Sequence, residues 1–341
     1  MRIFILTILA GIILATTPAM ARDQIRVVGS STVYPFSAAI AEYLSRNPEY
    51  TDIVVESTGT GAGIKLFCAG IGGEHPDITN ASRRMKDTEF KTCNENGVTS
   101  ISEVKLGYDG IVLAQSKKAE PINLTLRQIY MALAQKVPQN GKLVANPYTN
   151  WSDIDSSLPK IKISVLGPPP SSGTRDSFVE IAMEGGCKTF KELSELKKTD
   201  ETAFKQACHT LREDGAFVES GENDNLIVQK LESNPKLLGI FGYSFLDQNR
   251  DYLRAATIDK TAPSVTAIQS GKYELSRSLY FYVKNAHLAS IKGLKEYIAE
   301  ATSEKTFGDN GYLVSKGLVP LPKTERKQIR EQALSAKPLT M

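Results

Sequence analysis

The chain has 341 residues, a length that favours two domains over one. Lys and Arg total 41 against 38 Asp and Glu, a net charge of +3 that is too even to imply nucleic acid or a membrane surface as partner. Hydrophobic residues make up 41% and charged residues 23%, the composition of an ordinary soluble globular protein.

Arg2 precedes an apolar run over residues 3–15, which ends in Thr16-Thr17-Pro18-Ala19-Met20-Ala21. A basic start, an apolar stretch too short to span a bilayer and an Ala-x-Ala end predict a secretory signal peptide over residues 1–21. Cleavage is expected after Ala21. No Cys lies near the cut to carry a lipid, so the mature protein is expected to be soluble outside the cytoplasm.

Beyond residue 22, strands and helices alternate. A β-branched strand over 25–28 runs through Gly29-Ser30-Ser31-Thr32 into a helix over 35–46. That helix has Phe36, Ala39, Ile40, Tyr43 and Leu44 on one face, and Pro35 suits its first turn. A strand over 53–56 leads through Ser57-Thr58-Gly59-Thr60-Gly61 into a helix near 62–69. A short strand at 77–80 and a polar helix over 87–95 follow, in the βαβ rhythm of a helix-covered sheet. Residues 104–114 read as a long apolar strand broken in the middle by Gly107-Tyr108-Asp109-Gly110, where the glycines absorb a change of direction. Residues 278–283 read as a later counterpart. Two such crossings predict lobe one over 22–110 plus 274–341 and lobe two over 111–273. Two sequential domains meeting near 140–151 are the weaker alternative, because the β-rich pattern resumes late.

Within the second lobe, the pattern predicts a helix over 125–135, a turn at 151–154 and a strand over 161–166. The loop Ser171-Ser172-Gly173-Thr174 comes next, then a helix using Phe178, Val179, Ile181 and Ala182. A helix over 226–231, a strand over 239–246 and a charged tail helix over 323–334 complete the reading.

Cys68, Cys93, Cys187 and Cys208 are an even set in a chain expected to be exported, which favours disulfides. Metal binding is weaker, since no Cys-x-x-Cys pair occurs. Of the three possible pairings we favour Cys68–Cys93 and Cys187–Cys208, each closing a loop of roughly 20–25 residues and contributing about 3 kcal/mol.

The three hydroxyl loops share one chemistry. Each places Ser or Thr hydroxyls and free backbone N–H groups at the positive end of a helix, where an anion is stabilised. Helix capping explains any one of them; three together point to a shared oxyanion. Ser31, Thr32, Thr60, Ser172 and Thr174 each offer a hydroxyl and an N–H, while Gly61 and Gly173 let the main chain approach. Ser82 and Arg83 follow a strand end, where a guanidinium supplies the charge that the loops lack. Arg175 is a further candidate. Asp109 is the first candidate for a carboxylate that accepts the proton of phosphate and repels sulfate, and Glu56 the second. A hydrolase is the competing class, but His75, His209 and His287 are remote in sequence from the loops. They make no metal site by spacing, and no Gly-x-Ser-x-Gly elbow occurs.

Taken in order, Gly29-Ser30-Ser31-Thr32-Val33-Tyr34-Pro35, Gly59-Thr60-Gly61-Ala62-Gly63, Asn80-Ala81-Ser82-Arg83, Tyr108-Asp109-Gly110 and Ser172-Gly173-Thr174 resemble one known family. Glu222-Asn223-Asp224-Asn225-Leu226, Gly239-Ile240-Phe241-Gly242-Tyr243 and Leu275-Ser276-Arg277-Ser278-Leu279 extend the match. The set is similar to the periplasmic phosphate-binding proteins of the high-affinity phosphate ABC importer. The resemblance implies an α/β, two-lobed type II periplasmic-binding-protein fold, each lobe a mixed sheet flanked by helices, joined by two crossing strands. It also implies a monomeric, periplasmic, non-enzymatic receptor without cofactor, which hands inorganic phosphate to inner-membrane permease subunits served by a cytoplasmic ATPase. Sulfate, molybdate or a phosphonate in the same fold is the nearest alternative. By resemblance Ser31, Thr32, Thr60, Ser172, Gly173 and Thr174 contact phosphate. The best-known branch has Asp where this chain has Ser82, and Arg where it has Pro168-Pro169-Pro170. Arg83 is therefore expected to replace that arginine and Asp109 that acceptor.

Overall fold

The computed structural model describes residues 24–47, 52–221 and 224–341. The expected signal peptide lies outside the described residues, as do Glu222 and Asn223 of the quoted motif. Among the described residues nine strands form the main sheet: β1 (Ile25–Gly29), β2 (Ile53–Ser57), β3 (Ile78–Ala81), β4 (Ile101–Ser116), β5 (Val165–Gly167), β6 (Phe217–Glu219), β7 (Leu238–Gly242), β8 (Leu253–Ala255) and β9 (Ser276–Lys284). Their order is β2–β1–β3–β9–β4–β7–β5–β6, with β8 beside the far end of β4.

The strands fall into two groups that share β4. On one side β2, β1 and β3 are parallel, and β9 closes them antiparallel onto the first half of β4, from Ile101 opposite Lys284 to Gly110 opposite Ser276. On the other side, Ile111–Ala114 of β4 pair antiparallel with β7, which is parallel to β5, itself parallel to β6. Helices cover both groups, the two-lobed α/β architecture expected from the sequence. β4 is one unbroken strand of 16 residues, so the polar break predicted at its centre does not form. Gly107 and Gly110 serve close packing instead: an added Cβ would lie 2.7 Å from Leu318 Cδ1 at Gly107 and 2.6 Å from Ile268 Cδ1 at Gly110. Among the described strand pairs the one irregularity is a register shift between Leu279 and Tyr280 of β9, which leaves Leu106 of β4 without a partner on that side.

Strands buried on both faces are built from β-branched and aliphatic residues: Val27, Val28 and Ile78 of the parallel strands and Val104, Ile111, Val112 and Leu113 of the antiparallel β4 are almost fully buried. Burying each such side chain contributes about 1.5–3 kcal/mol. The first helix spans Tyr34–Leu44 and buries Phe36, Ile40 and Leu44, as its periodicity predicts. Tyr43 instead stacks on Tyr312 at 5.5 Å between ring centroids. The helices over 87–95 and 323–334 fall where the pattern places them. Residues 239–246 do not make one strand: β7 ends at Gly242, and a helix, Tyr243–Gln248, begins there. The strand expected over 161–166 is reduced to β5.

Both disulfides form as favoured, Cys68–Cys93 and Cys187–Cys208. Around the second, Glu184 gathers Lys188, Lys197 at 2.7 Å and His209 at 3.0 Å. Burial pushes its carboxyl up, but the hydrogen bonds from His209, Lys188 and Lys197 outweigh that and hold it well below the usual carboxylate range. A carboxyl depressed in the folded state contributes stability above its unfolded pKa and loses it as pH falls through the folded one. Glu184→Gln is therefore expected to lower Tm by several degrees at pH 7 and by little at pH 2, read by calorimetric scans at both pH values. Equal losses would show that the carboxylate charge plays no part.

Candidate binding cleft between the hydroxyl loops

The ladder brings the loops together before any side chain is considered. Gly29 pairs with Ser57 on one side and with Asn80 on the other, so β1, β2 and β3 release their chains at one edge. Ligands of open α/β sheets gather at such carboxyl ends. The backbone turns sharply there. Gly29 sits at φ +122°, and a Cβ on it would fall 2.2 Å from the Asn80 carbonyl oxygen, so only glycine fits. Its own carbonyl accepts from the N–H groups of Thr58 and Gly59, both at 2.9 Å, which ties the first loop to the second.

The third loop comes from the other strand group, after β5, and meets the first loop directly. A Cβ on Gly173 would lie 2.7 Å from the Ser31 carbonyl oxygen and 2.9 Å from Thr32 Cα. Thr32 Oγ1 donates to the Gly173 carbonyl at 3.4 Å and lies 3.0 Å from Ser177 Oγ. Ser31 Oγ donates to the Asp176 carboxylate. Ser172 caps its helix, accepting from the Thr174 N–H at 3.3 Å, which is the local role its residue type favours. Ser31, Thr32, Asp109, Ser172, Gly173 and Thr174 line a cleft of about 450 Å³ where these loops face each other.

A polar cluster lies beneath Thr32. Ser177 Oγ donates to Asp109 Oδ2 at 2.7 Å, and Arg277 Nη2 donates to Thr32 Oγ1 at 2.7 Å and also to Ser177. The other arm of Arg277 holds Glu180, while its Nε stands 3.8 Å from Asp109 Oδ2. Burial pushes the Asp109 carboxyl above its ordinary range, against the pull of the Arg277 guanidinium and the Ser177 hydroxyl. Arg277 thus joins β9 and the first loop to the helix after the third loop. Sequence reasoning missed it, although it stands in a quoted motif.

Several predicted residues lie elsewhere. Arg83 does not reach the cleft: its guanidinium forks onto Glu89 at 2.7 and 2.9 Å. Thr60 and Ser82 bond each other, Oγ to Oγ at 3.0 Å, and the Ser82 N–H donates to Thr60 Oγ1 at 3.1 Å. Gly61 has nothing within 4 Å of a would-be Cβ. Arg175 turns away, donating to the Pro168 carbonyl at 2.9 Å and lying 4.4 Å over the Phe217 ring. Glu56 pairs with Arg26 at 3.6 Å. His287 is buried between Asp77 and the Ile71 carbonyl, and His209 belongs to the Glu184 cluster. Among the described residues no group of three or more His, Cys, Asp or Glu is placed to hold a metal.

Two sheet groups sharing a strand, with donor-rich loops of both facing one cleft, define a solute-binding protein of the two-lobed class. Comparison with known proteins agrees. The PBP superfamily domain matches residues 14–305. The phosphate-binding protein PstS of Staphylococcus haemolyticus is 31% identical over 294 residues, covering 84% of this chain and 79% of that one. Protein SphX of Synechocystis is 29% identical over 323 residues, 90% of this chain and 81% of its own. The crystal structure of a possible phosphate binding protein from Planctomyces limnophilus superposes with a TM-score of 0.72 at 27% identity, over 92% of this chain and 98% of that one. The chain belongs to the PBP superfamily, among the relatives of the phosphate-binding protein PstS.

Proposed function

We propose that this protein is the extracytoplasmic receptor of an ABC phosphate importer, capturing inorganic phosphate in the cleft and delivering it to membrane permease subunits. One observation carries the reading: hydroxyl loops from both strand groups, Ser31-Thr32 and Ser172-Gly173-Thr174, close on one cleft. The names of its relatives support phosphate as the ion. Neutral donors suit a dehydrated oxyanion, since each hydrogen bond to a charged partner contributes roughly 1.5–3 kcal/mol. In this reading Ser31, Thr32, Ser172, Gly173 and Thr174 surround phosphate. Asp109 accepts its proton through the Ser177–Thr32 hydroxyl chain, and Arg277 supplies the cation that Arg83 does not. Thr60, Gly61 and Ser82 shape the second loop behind them.

The same reading takes residues 22–110 plus 274–341 and residues 111–273 as the two lobes. The protein then works as a monomer in the periplasm after cleavage at Ala21, and as a receptor instead of an enzyme. The test is a calorimetric titration of the whole protein with phosphate and with sulfate. Micromolar or tighter binding of phosphate with at least a hundredfold preference over sulfate is expected. Tighter binding of sulfate would sink the reading. In Asp109→Asn the preference is expected to shrink at least tenfold, and an unchanged ratio would remove Asp109 as the selector.

A further inference from the structure

The cleft is larger than one oxyanion needs. At a share of about 30 Å³ per water, an ion of five heavy atoms displaces about two or three waters, whereas the cleft holds about 450 Å³. Beyond the hydroxyl loops, Asp109 and the start of the first helix at Tyr34–Phe36, its lining includes Asp224, Gly242, Ser244, Phe245, Lys316 and Gly317. Ser244 lies in the first turn of the helix Tyr243–Gln248 and is 7% exposed. Its Oγ has no hydrogen-bond partner among the described residues. Buried hydroxyls in native proteins are nearly always partnered, so one left single in a cleft wall calls for a partner that arrives with a ligand.

Two neighbours indicate what that partner is. Gly317, at φ +105°, faces the hydroxyl: a Cβ on it would lie 3.6 Å from Ser244 Oγ, so the absent side chain keeps that space open. Lys316, one residue before, is exposed and forms no ion pair among the described residues. A hydroxyl without a partner and an ammonium without an ion pair, both on the wall of one cleft, favour an anion. Two carboxylates share the lining, but Asp109 is faced by Arg277 and Ser177, and Asp224 has a partner of its own.

We infer that Ser244, Lys316 and Gly317 form a second anionic subsite, which takes a further phosphoryl group joined to the phosphate held by the hydroxyl loops. The inference rests on the phosphate reading above and extends it from orthophosphate to phosphates that carry a second anionic group. Inorganic diphosphate is the simplest probe of that chemistry. Methyl phosphate is the control that adds bulk without charge.

The experiment titrates the whole protein, wild type, Ser244→Ala and Lys316→Gln, with orthophosphate, diphosphate and methyl phosphate, and repeats the diphosphate titration in competing orthophosphate. Diphosphate is expected to compete with orthophosphate for one site. Ser244→Ala is expected to weaken diphosphate about tenfold and Lys316→Gln about threefold or more, with orthophosphate and methyl phosphate moving less than twofold. No diphosphate binding, or equal losses for all three ligands in Ser244→Ala, overturns the subsite. Failure of the wild type to bind orthophosphate would instead overturn the underlying phosphate reading, so the two failures are distinct.

Discussion

Gly173→Ala is expected to weaken phosphate binding at least a hundredfold while moving Tm by no more than a few degrees. The added methyl would stand 2.7 Å from the Ser31 carbonyl oxygen and 2.9 Å from Thr32 Cα. Both obstacles are backbone, held by the Ser30 N–H donating to the Asn80 carbonyl at 3.0 Å and by the helix that starts at Tyr34, so neither can swing aside. The first and third loops must separate instead. Ser31 and Thr32 then point their hydroxyls past a ligand seated on Ser172 and Thr174. Losing two charge-assisted hydrogen bonds, at roughly 1.5 kcal/mol or more each, is about a hundredfold in affinity. Stability is spared because the contact lies between loops at the cleft and outside the core. Titration calorimetry and a thermal melt of the same sample decide it. Wild-type affinity in the variant would mean that these loops do not close on the ligand together.

Arg277→Gln is expected to cost about 3 kcal/mol of stability at pH 8 and much less at pH 4, because it leaves a buried carboxylate without its cation. The Arg277 and Asp109 side chains are only 13% and 15% exposed. Burial already raises the Asp109 carboxyl while Arg277 and Ser177 pull it down, so removing the guanidinium raises it further. The sign follows from linkage. A carboxyl whose folded pKa exceeds its unfolded value binds its proton more tightly in the native state. Its penalty is absent below the unfolded pKa and grows as pH rises through the folded one. Urea unfolding at both pH values measures the difference. A loss independent of pH would reduce Arg277 to a packing role. Phosphate affinity is expected to fall in the same variant, since Thr32 loses the donor that orients its hydroxyl.

Loops and strands were the legible part of this chain, and partner choice was not. Gly29 to Thr32 and Ser172 to Thr174 carry a local signature, a β-branched run ending in small hydroxyl residues before a helix. That signature survives folding because it is made by neighbours in sequence. Arg83 could not be read in the same way. Its strand-end position suited a ligand clamp, but Glu89, six residues on, offered a carboxylate with matching fork geometry. Arg277 was overlooked for the opposite reason. A charge near the start of an apolar strand reads as a solvated edge, and only pairing with β4 places it opposite Asp109.

Thr60 and Ser82 had the right residue types but satisfied each other 22 positions apart in sequence. Two misread elements have simpler causes. Tyr243 to Leu246 carry aromatic and aliphatic residues with no Gly or Pro after Gly242, so nothing local marked the switch from strand to helix. Asp109 read as a break in β4 because an unpaired buried carboxylate does not belong in a strand. Ser177 and Arg277 remove that objection from a distance of 68 and 168 residues along the chain.

The unbroken β4 has a mechanical consequence. One strand belongs to both groups of the sheet, with partners on its first half from β9 and on its second from β7 and β8. The rungs to β9 run as far as Gly110 and those to β7 begin at Ile111, so a change of angle between the two groups at that junction leaves the paired rungs in place. Closure of the cleft on a ligand therefore requires no pairing to be broken, only a new angle between the two groups at the middle of a shared strand.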